Sequence, residues 1–475
     1  MLRAMIHRVR DVAVAFWAAT MRAIHWAGGH RRSPQQKNVG HSGRDLILDA
    51  LTTSASVMSD GTYQGAALVL EIDNFEQLEK TINRDGQEDL FFAVSNVIAD
   101  VLGRDDVFAR LEGPRFGMAL SSAGGFDLEQ AIQLATRIQH ALAEPLNLSV
   151  ERATITVSIG FALASRVETN GPAALFHSAC IAQIEASRAG PAAIRSFSPA
   201  MQRRIDDRGE LAQELDAAFQ RGDIIAYFQP QLCLRDDMLA GFEALARWQH
   251  PTRGMISPAE FLPILMKTGQ MGRLGHKMLC DALRALSQWD AMGLNVPQVS
   301  VNLSKVELRN PAFVDQIMHE LDRFDLAPTR LVIEVLETVV ATGVDDLIVA
   351  NLHRLAALGC RIDLDDFGTG HASITAIRQF SVHRIKIDRS FITNIDKDEE
   401  QRSMVDAILT MAERLGLDTL AEGVETPQEQ ATLVELGCDH MQGFVLARPM
   451  PPAQAGEWAA RWMGMAGASN LVSFK

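Results

Sequence analysis

The sequence predicts an α/β protein in which a TIM-like (β/α)8 barrel follows a smaller α/β domain. Its 475 residues are too many for one ordinary core, so two or three domains are expected. From about residue 223 onward, short apolar runs alternate with helical stretches, which is typical of a parallel sheet. Nearly every run ends in a polar or acidic residue. A barrel builds its active site at the carboxyl ends of its strands, whereas an open doubly wound sheet gathers its ligand at one switch point.

The composition limits both the compartment and the classes of partner. Apolar residues make up 47% of the chain and charged residues 22%, which is normal for a globular protein and excludes wholesale disorder. The net charge of -14 argues against binding to nucleic acid. Five cysteines are scattered without a C-x-x-C pair. That pattern suits a reducing cytoplasm and indicates neither a disulfide framework nor a zinc site.

The first 44 residues differ in charge from the rest of the chain. They contain eight Lys and Arg residues against one acid, Asp11, so they have a net charge of +7 and leave -21 for the remainder. The apolar run at 12–21 is far shorter than the ~20 residues that a membrane span requires. A basic amphipathic segment at 2–27 is compatible with peripheral contact at the inner membrane surface, with oligomerisation or a protein partner, with a loose tail and with a signal peptide. A polar linker at 30–44 follows, and we expect a cytoplasmic protein.

Residues 45–198 are predicted to form the smaller α/β domain. Within it, 65–72 resembles a buried strand, 128–144 an amphipathic helix and 153–163 another strand. The segment 199–222 follows a serine, begins with proline, ends at glycine and has apolar residues at helical spacing. These signals predict a helix that connects the two domains.

The barrel domain is predicted at 223–460, with a C-terminal tail at 461–475. Seven apolar runs are its candidate strands: 239–245, 299–304, 330–337, 361–368, 384–388, 420–425 and 441–446. The run at 361–368 reads RIDLDDFG and places three aspartates in an otherwise buried strand. Repeated strand–helix units of this size favour closure into a barrel of about eight strands.

Side chains at the ends of these runs form a set of hard oxygen ligands: Glu243, Asn302, Glu334, Asp365, Asp366 and Glu422. Lys386 adds one cation, and Gln229 and Gln442 add amides. Adjacent carboxylates repel each other unless a cation lies between them or one is protonated. Oxygen-only ligands select Mg²⁺ or Mn²⁺, and two such ions about 4 Å apart are the clamp used for in-line phosphoryl displacement. Each residue alone is also compatible with a surface or turn position, but the whole set on successive strands favours metal.

Eight segments of the barrel domain resemble EAL-domain cyclic di-GMP phosphodiesterases in order and spacing. They are YFQPQ (227–231), GFEALARW (241–248), VNLS (301–304), IEVLE (333–337), DDFGTG (365–370), IKIDRSF (385–391), AEGVET (421–426) and GCDHMQGF (437–444). The resemblance implies hydrolysis of cyclic di-GMP to linear pGpG with two Mg²⁺ or Mn²⁺ ions. It also implies a homodimer formed through the barrel.

The resemblance implies a role for each matching residue. The ligands of one metal match Glu243, Asn302, Glu334 and Asp365, and those of the other match Asp365, Asp366 and Glu422. Lys386 matches the catalytic lysine, beside the catalytic carboxylates Glu243 and Glu422. Residues near the dinucleotide or its water match Gln229, Arg247, Asp388 and Gln442. Glu337 matches a glutamate that braces the DDFGTG loop.

Two positions depart from the family pattern, and one alternative function stays open. His371 stands where the family usually has tyrosine, and His383 where it usually has aspartate. The first affects regulation more than chemistry, since it is next to the loop that joins the metal site to dimerisation. The alternative is a barrel that binds cyclic di-GMP and signals without turnover. Inert members typically lack a metal ligand or the lysine, whereas this sequence has the lysine and every matching metal ligand.

Residues 61–163 resemble a GGDEF, or diguanylate cyclase, domain with altered catalytic positions. The resemblance is clearest at LEIDNFEQL, DDVFARLEGPRF and TITVSIGFAL. The signature loop reads EGPRF, so Glu112 replaces a glycine while Pro114 and Arg115 replace its acids. Proline cannot bind metal, and arginine has the wrong charge for a cation site.

Other functional positions of the cyclase pattern are altered too. Glu71 stands in for the metal-binding aspartate and Glu79 for the asparagine that contacts guanine. The product-inhibition motif R-x-x-D begins with Gly103, although its acid, Asp106, is present. We therefore predict a catalytically inert GGDEF-like domain with a regulatory or dimerising role.

Overall fold

The computed structural model describes residues 42–464, apart from gaps at 54–55, 58–62, 122–125, 149–151, 168–170, 338, 340–345, 369–376 and 378–379. The chain divides into two compact units, with the division between Asp207 and Arg208. The predictions for residues 1–41, His371 and the tail from residue 465 lie outside the described residues and stay predictions.

The first unit is an α/β domain. Its helices are α1 (Gly43–Thr53), α2 (Phe75–Thr81), α3 (Arg84–Val101), α4 (Leu128–Ala143) and α5 (Pro172–Arg188). Its strands are β1 (Ser56–Val57), β2 (Tyr63–Gln64), β3 (Ala66–Ile72), β4 (Val107–Arg110), β5 (Arg115–Leu120), β6 (Leu146–Asn147), β7 (Arg152–Ala153), β8 (Val157–Leu163) and β9 (Ile194–Ser196). Helix α6 (Pro199–Arg221) follows, and the division between the units falls within it.

Helices cover both faces of a five-stranded sheet in this unit. The strand order is β4-β5-β3-β8-β9, with only the β8–β9 pair parallel. Along β3, Leu68 and Leu70 pack in the core with α3 and α4, whereas Ala67 and Val69 pack with α1 and α5. Successive strand residues point to opposite faces, so an apolar run without alternation indicates a strand buried on both sides.

The second unit is built from strands β10 (Ile224–Cys233), β11 (Leu239–His250), β12 (Gly254–Ile256), β13 (Val299–Leu303), β14 (Leu331–Leu336), β15 (Arg361–Phe367), β16 (Arg384–Ile387), β17 (Asp418–Ala421) and β18 (His440–Gln442). Its helices are α7 (Pro258–Lys267), α8 (Met271–Ala291), α9 (Lys305–Leu308), α10 (Phe313–Arg323), α11 (Asp346–Leu358), α12 (Arg389–Ile392), α13 (Glu399–Leu415), α14 (Pro427–Leu436) and α15 (Pro452–Trp462).

Eight strands of this unit close into a barrel, which confirms the predicted fold. Their order is β10-β18-β17-β16-β15-β14-β13-β11, and pairing of β10 with β11 closes the ring. Seven strands run parallel, but β10 is antiparallel to both of its neighbours. Only residues 234–238 connect β10 to β11, and a link this short joins antiparallel strands because a parallel pair needs a crossover of a dozen or more residues.

Alternation along the strands sorts apolar residues outward and polar residues inward. On β13, Val301 and Leu303 belong to the apolar core shared with the outer helices, while Asn302 between them belongs to the polar network described below. The same alternation places Ile333 in that core and Glu334 in the network. The barrel interior is therefore polar at the end where these strands finish.

Two further observations bear on the sequence predictions. All five cysteines lie in the described part of the chain and are free thiols. Among the described residues, no helix combines the length and the apolar character needed to cross a bilayer.

Candidate active site

Lys386 lies at the centre of a buried cluster of carboxylates in the barrel. The residue is 0% exposed and stands on β16 between strands that present acidic residues. The distances from its Nζ atom to the nearest carboxylate oxygens are 2.6 Å for Glu422, 2.9 Å for Glu334, 2.9 Å for Asp365 and 3.7 Å for Glu243. Burial disfavours its charge, but these neighbours raise the pKa of Lys386 well above its ordinary range. The surrounding carboxylates therefore favour the charged ammonium form of Lys386.

Neighbouring parallel strands bring the carboxylates together. Asn302 and Glu334 are register partners on β13 and β14, and the amide of Asn302 lies between two acids. Its Nδ2 donates to Glu243 Oε1 at 2.7 Å and to Glu334 Oε2 at 3.2 Å. Because these residues are at matching positions on successive strands, the closed barrel turns separate strand ends into one site.

The cluster holds more negative charge than the lysine balances. Burial, with help from nearby Glu243, raises the pKa of Glu334 to about 6. Burial raises the pKa of Glu422 well above its ordinary range even though Lys386 is close. Among the described residues, Oε1 of Glu334 is buried without a hydrogen-bond partner. A fully buried acceptor of this kind fits a site that binds a further cation.

Asp365, Asp366 and Glu422 form a second group of oxygens beside the lysine. Each offers one carboxylate oxygen, and the three atoms lie within 4.8 Å of one another. Asp366 has a left-handed backbone, with φ of 54°, and its N–H donates to Asp365 Oδ1 at 3.1 Å. Burial and the neighbouring Asp365 raise the pKa of Asp366. This all-oxygen donor set fits Mg²⁺ or Mn²⁺.

Glutamine side chains connect the acidic cluster to the barrel mouth. The Gln442 Nε2 atom donates to Glu243 Oε2 at 2.6 Å and to Gln229 Oε1 at 3.1 Å. Gln229 in turn donates to the Ala447 carbonyl at 3.1 Å. Gln229, Glu243 and Gln442 line a cleft of about 280 Å³, and Phe444 is also part of its wall. The cleft gives a ligand access to the carboxylates.

Asp363 and Arg384 form a buried pair that the sequence did not reveal. Asp363 is the remaining aspartate of β15, and it accepts hydrogen bonds from Arg384 rather than facing Lys386. Gln231 accepts from Arg384 at 2.9 Å and donates to Gln442 at 2.9 Å. The pair therefore supports the site from within the barrel. The only sequence signal is Arg384 itself, a basic residue two positions before Lys386 on β16, the strand next to β15.

The remaining predicted residues lie around the cluster. Glu337 Oε2 accepts the Gly368 N–H at 2.9 Å, which ties it to the loop after β15. Asp388 is at the N-terminus of α12 and accepts the Ser390 N–H at 2.9 Å. Arg247 is half-buried, donates to the Ala246 carbonyl at 2.7 Å and lies outside the cleft lining. Among the described residues, Arg247 forms no hydrogen bond or ion pair with the cluster, although Glu243 is close enough to favour its charge.

His383, one of the two departures from the family pattern, has a local structural partner. Its Nδ1 accepts the Ile362 N–H at 3.1 Å, at the start of β15. A neutral imidazole nitrogen accepts a backbone hydrogen bond as a carboxylate would. The substitution is therefore compatible with the strand pairing that positions Asp365.

In the first unit, the residues at cyclase positions are engaged in local contacts. Glu71 accepts one hydrogen bond from Gln183 Nε2, and Ser187 Oγ lies 3.4 Å from the same carboxylate oxygen. Asp106 uses both carboxylate oxygens, accepting from the Gly103 N–H in its own turn at 2.8 Å and from the Ser121 N–H after β5 at 3.0 Å. Both carboxylates therefore already have hydrogen-bond partners within the domain.

The signature loop of this unit forms a tight turn ahead of β5. Gly113 has φ of 66°, and Pro114 follows it directly. Arg115 begins the strand and donates to the Glu112 carbonyl at 3.2 Å. Glu79 lies apart on α2, where it is exposed. The arginine places positive charge where a cation site needs acids.

Comparison with known families matches both parts of the chain. Residues 212–449 match the family described as EAL domain, and residues 42–192 match the family described as Diguanylate cyclase, GGDEF domain.

Two relatives with similar sequences and one solved structure agree with these family matches. The Bifunctional diguanylate cyclase/cyclic di-GMP phosphodiesterase MucR of Pseudomonas aeruginosa is 31% identical over 86% of this chain, which spans 59% of that protein. The Cyclic di-GMP phosphodiesterase PdeR of Escherichia coli is 30% identical over 83% of this chain, which spans 58% of that protein. A solved structure described as PaMucR Phosphodiesterase, c-di-GMP complex, is 36% identical, with a TM-score of 0.50 over 52% of this chain and 99% of its own.

Proposed function

This chain belongs to the EAL domain family and has a GGDEF domain ahead of its barrel, and on that premise we propose that the barrel hydrolyses cyclic di-GMP to linear pGpG. The observation that supports it most directly is the buried Lys386 among four carboxylates at the end of the barrel strands. The relative from E. coli is named a cyclic di-GMP phosphodiesterase, and the one from P. aeruginosa a bifunctional diguanylate cyclase and cyclic di-GMP phosphodiesterase. The similar solved barrel is described as a cyclic di-GMP complex.

The donor set supports dependence on two divalent ions, Mg²⁺ or Mn²⁺. We assign one ion to Glu243, Asn302, Glu334 and Asp365, and the other to Asp365, Asp366 and Glu422. A pair of such ions supplies Lewis-acid polarisation of a phosphodiester and lowers the pKa of water. The orphaned Glu334 Oε1 and the convergence of three carboxylate oxygens within 4.8 Å fit this assignment.

The reaction adds water across one of the two phosphodiester bonds of the ring. The water oxygen bonds to phosphorus, the bond from phosphorus to the ribose O3′ breaks, and a proton is transferred to that leaving oxygen. We assign Lys386 Nζ to orienting the attacking water. The reason is that Nζ lies beside Glu334, Asp365 and Glu422, the carboxylates assigned to the ions where that water would bind. Gln442 holds Glu243 in place and helps to order water beside it.

We assign substrate binding to the residues around the cleft. Gln229 lines it, and its amide can reorient to a nucleotide because its present partners are an amide and a carbonyl. Arg247 and Asp388 would contact the dinucleotide after side-chain movement, with the guanidinium of Arg247 suited to phosphate. Glu337 would hold the loop after β15, and hence Asp366, in position.

For the first unit we propose a regulatory or dimerising role without cyclase activity. Arg115 and Pro114 occupy the signature turn, and the acids Glu71 and Asp106 already have partners within the domain. A homodimer through the barrel is the assembly that we propose, and light scattering of the purified chain tests it.

The function is tested by incubating the full-length protein with cyclic di-GMP and Mn²⁺ and separating the products by chromatography. We expect pGpG from the wild type, loss of product on addition of a chelator, and at least about 100-fold slower hydrolysis in Glu243→Ala and Lys386→Ala. The control Glu260→Ala removes an exposed glutamate on α7 and should keep the wild-type rate.

Two results would contradict the proposal. Tight binding of cyclic di-GMP with no pGpG, even at high protein concentration, would favour the non-hydrolytic receptor. Unchanged rates in both site variants would overturn the residue assignment instead.

A further inference from the structure

A second group of metal-binding side chains lies on the outside of the barrel domain, away from the acidic cluster. His276 and Cys280 are four residues apart on α8, and Glu320 is on α10. Residues at this helical spacing share one face, so both α8 side chains point toward α10. One atom from each of the three residues lies within 4.8 Å of the other two.

The distances suit coordination of one ion. Cys280 Sγ lies 3.8 Å from His276 Nε2, and Glu320 Oε1 lies 3.5 Å from the same nitrogen. Bonds of about 2.3 Å to sulfur and about 2.0 Å to nitrogen or oxygen put tetrahedral zinc ligands roughly 3.3 to 3.6 Å apart. The side chain of His276 is 58% exposed, so the ring is free to turn and present its nitrogen.

The surroundings favour a cation at this position. Glu320 is 6% exposed, and its other oxygen, Oε2, is paired with Arg323 at 3.2 Å. That pair fixes the carboxylate while Oε1 faces His276 and Cys280, and carboxylates that bind metals are typically held by such a hydrogen bond to the other oxygen. Cys280 is 7% exposed and its Sγ contacts the His276 ring, so a metal bound there would replace the thiol proton.

An adjoining cavity supplies an independent observation. It has a volume of about 710 Å³, and its walls include His276, Glu320 and Gln316. Glu307 lines the same cavity, is 6% exposed, and has a buried oxygen, Oε1, without a hydrogen-bond partner among the described residues. That oxygen lies against Gly275 of α8, which also lines the cavity, so the wall next to His276 has an acceptor that the described residues leave unsatisfied.

We propose that His276, Cys280 and Glu320 bind one Zn²⁺ ion, with the fourth coordination position open to the cavity between α8 and α10. Thiolate, imidazole and carboxylate together favour zinc over the hard ions suited to the acidic cluster. The sequence indicates no zinc site because its cysteines lack paired spacing, and the third ligand comes from a different helix.

Cobalt substitution tests the site in the full-length protein. After removal of metals with a chelator, Co²⁺ should produce a thiolate-to-cobalt charge-transfer band, and one equivalent of Zn²⁺ should remove it. Oxygen-only binding at the acidic cluster gives no such band, so the result is independent of the proposed hydrolysis.

Ligand variants identify the residues. Cys280→Ser should abolish the band, and His276→Gln should weaken Zn²⁺ binding at least about tenfold in competition with a coloured chelator. Because His276 is exposed, its variant should fold normally even if Cys280→Ser does not. The controls Cys360→Ser and His353→Gln alter a buried cysteine and an exposed histidine elsewhere in the barrel domain and should behave as the wild type.

The proposal is overturned if saturating Co²⁺ gives no charge-transfer band in the wild type. It is also overturned if the band persists in Cys280→Ser, or if folded His276→Gln binds Zn²⁺ as tightly as the wild type.

Discussion

Asp363 and Asp365 are two residues apart on β15 and share one face of the strand, yet they have different partners. Asp363 is 1% exposed and pairs with Arg384, whereas Asp365 lies 2.9 Å from Lys386. The register of β16 explains the difference, because Arg384 is directly opposite Asp363 and Lys386 comes two residues later. One carboxylate therefore stabilises the barrel interior, and the other is left for the site.

Replacing Asp363 should unfold the barrel domain more easily. In Asp363→Asn the buried guanidinium of Arg384 loses its counter-charge, which should lower the free energy of unfolding by about 3–5 kcal/mol. Urea denaturation followed by circular dichroism measures the loss. In the control Asp216→Asn, the exposed pair with Arg273 is removed, and the expected change is under about 1 kcal/mol. Equal losses in the two variants would contradict the role of burial.

Glu307 should make the protein less stable as the pH rises. Burial raises its pKa, so the folded state binds its proton more tightly than the unfolded state does. The stability that this preference provides is present below the ordinary pKa and is lost as the pH rises through the raised folded value. Glu307→Gln keeps a side chain able to serve the capping box with Ser304.

In the Glu307→Gln variant we therefore expect a smaller fall in stability with pH. At neutral pH, the variant should be about 1 kcal/mol more stable than the wild type. Thermal unfolding measured from acidic to neutral pH compares the two proteins. A variant less stable than the wild type at neutral pH would show that the carboxylate has a partner worth more than its burial costs.

At the scale of elements, the parallel strands of the barrel could be predicted from the sequence, but not all of their bounds could. The runs at 299–304 and 361–368 match β13 and β15 because apolar side chains at alternate positions pack against helices outside the barrel. The run at 420–425 was placed too late, since β17 begins at Asp418 and the following residues form a loop. Polar residues near a strand end obscure where pairing stops, because pairing depends on the neighbouring strand.

The loops after β17 and β18 touch through a glycine that tolerates no side chain. A Cβ atom on Gly443 would lie 2.0 Å from the Val424 carbonyl oxygen, which is backbone and cannot turn aside. Gly443→Ala should therefore move Glu422 and Gln442 apart, lower stability by about 1–3 kcal/mol and reduce hydrolysis. Denaturation and product formation measure the two effects.

Gly209 offers the matched control for that substitution. It lies in α6, where an added Cβ meets nothing within 4 Å, so Gly209→Ala should leave hydrolysis unchanged and raise stability by about 0.5–1 kcal/mol. If Gly443→Ala were as stable and active as Gly209→Ala, the two loops would not need their close approach.

At the scale of the whole molecule, the residues of the acidic cluster could be named from the sequence, whereas the residues that support them could not. Ordered motifs identified Glu334 and Lys386, and the barrel brings them to 2.9 Å. Gln231 gave no comparable signal, because its contacts with Arg384 and Gln442 depend on which strands are neighbours in the closed ring. Strand β10 runs antiparallel to β18, and this pairing places Gln231 opposite Gln442. The reversed direction of β10 follows from its short connection to β11 and not from a motif.

The whole chain should convert no GTP to cyclic di-GMP. Pro114 and Arg115 form the signature turn, and a positive charge there opposes binding of a metal–triphosphate complex. The experiment uses full-length Glu243→Ala with GTP and Mg²⁺, because a chain unable to hydrolyse cyclic di-GMP would let any product accumulate. Added cyclic di-GMP recovered intact serves as the control for that block. Accumulation of newly made cyclic di-GMP would show that the turn accepts metal and nucleotide despite Arg115.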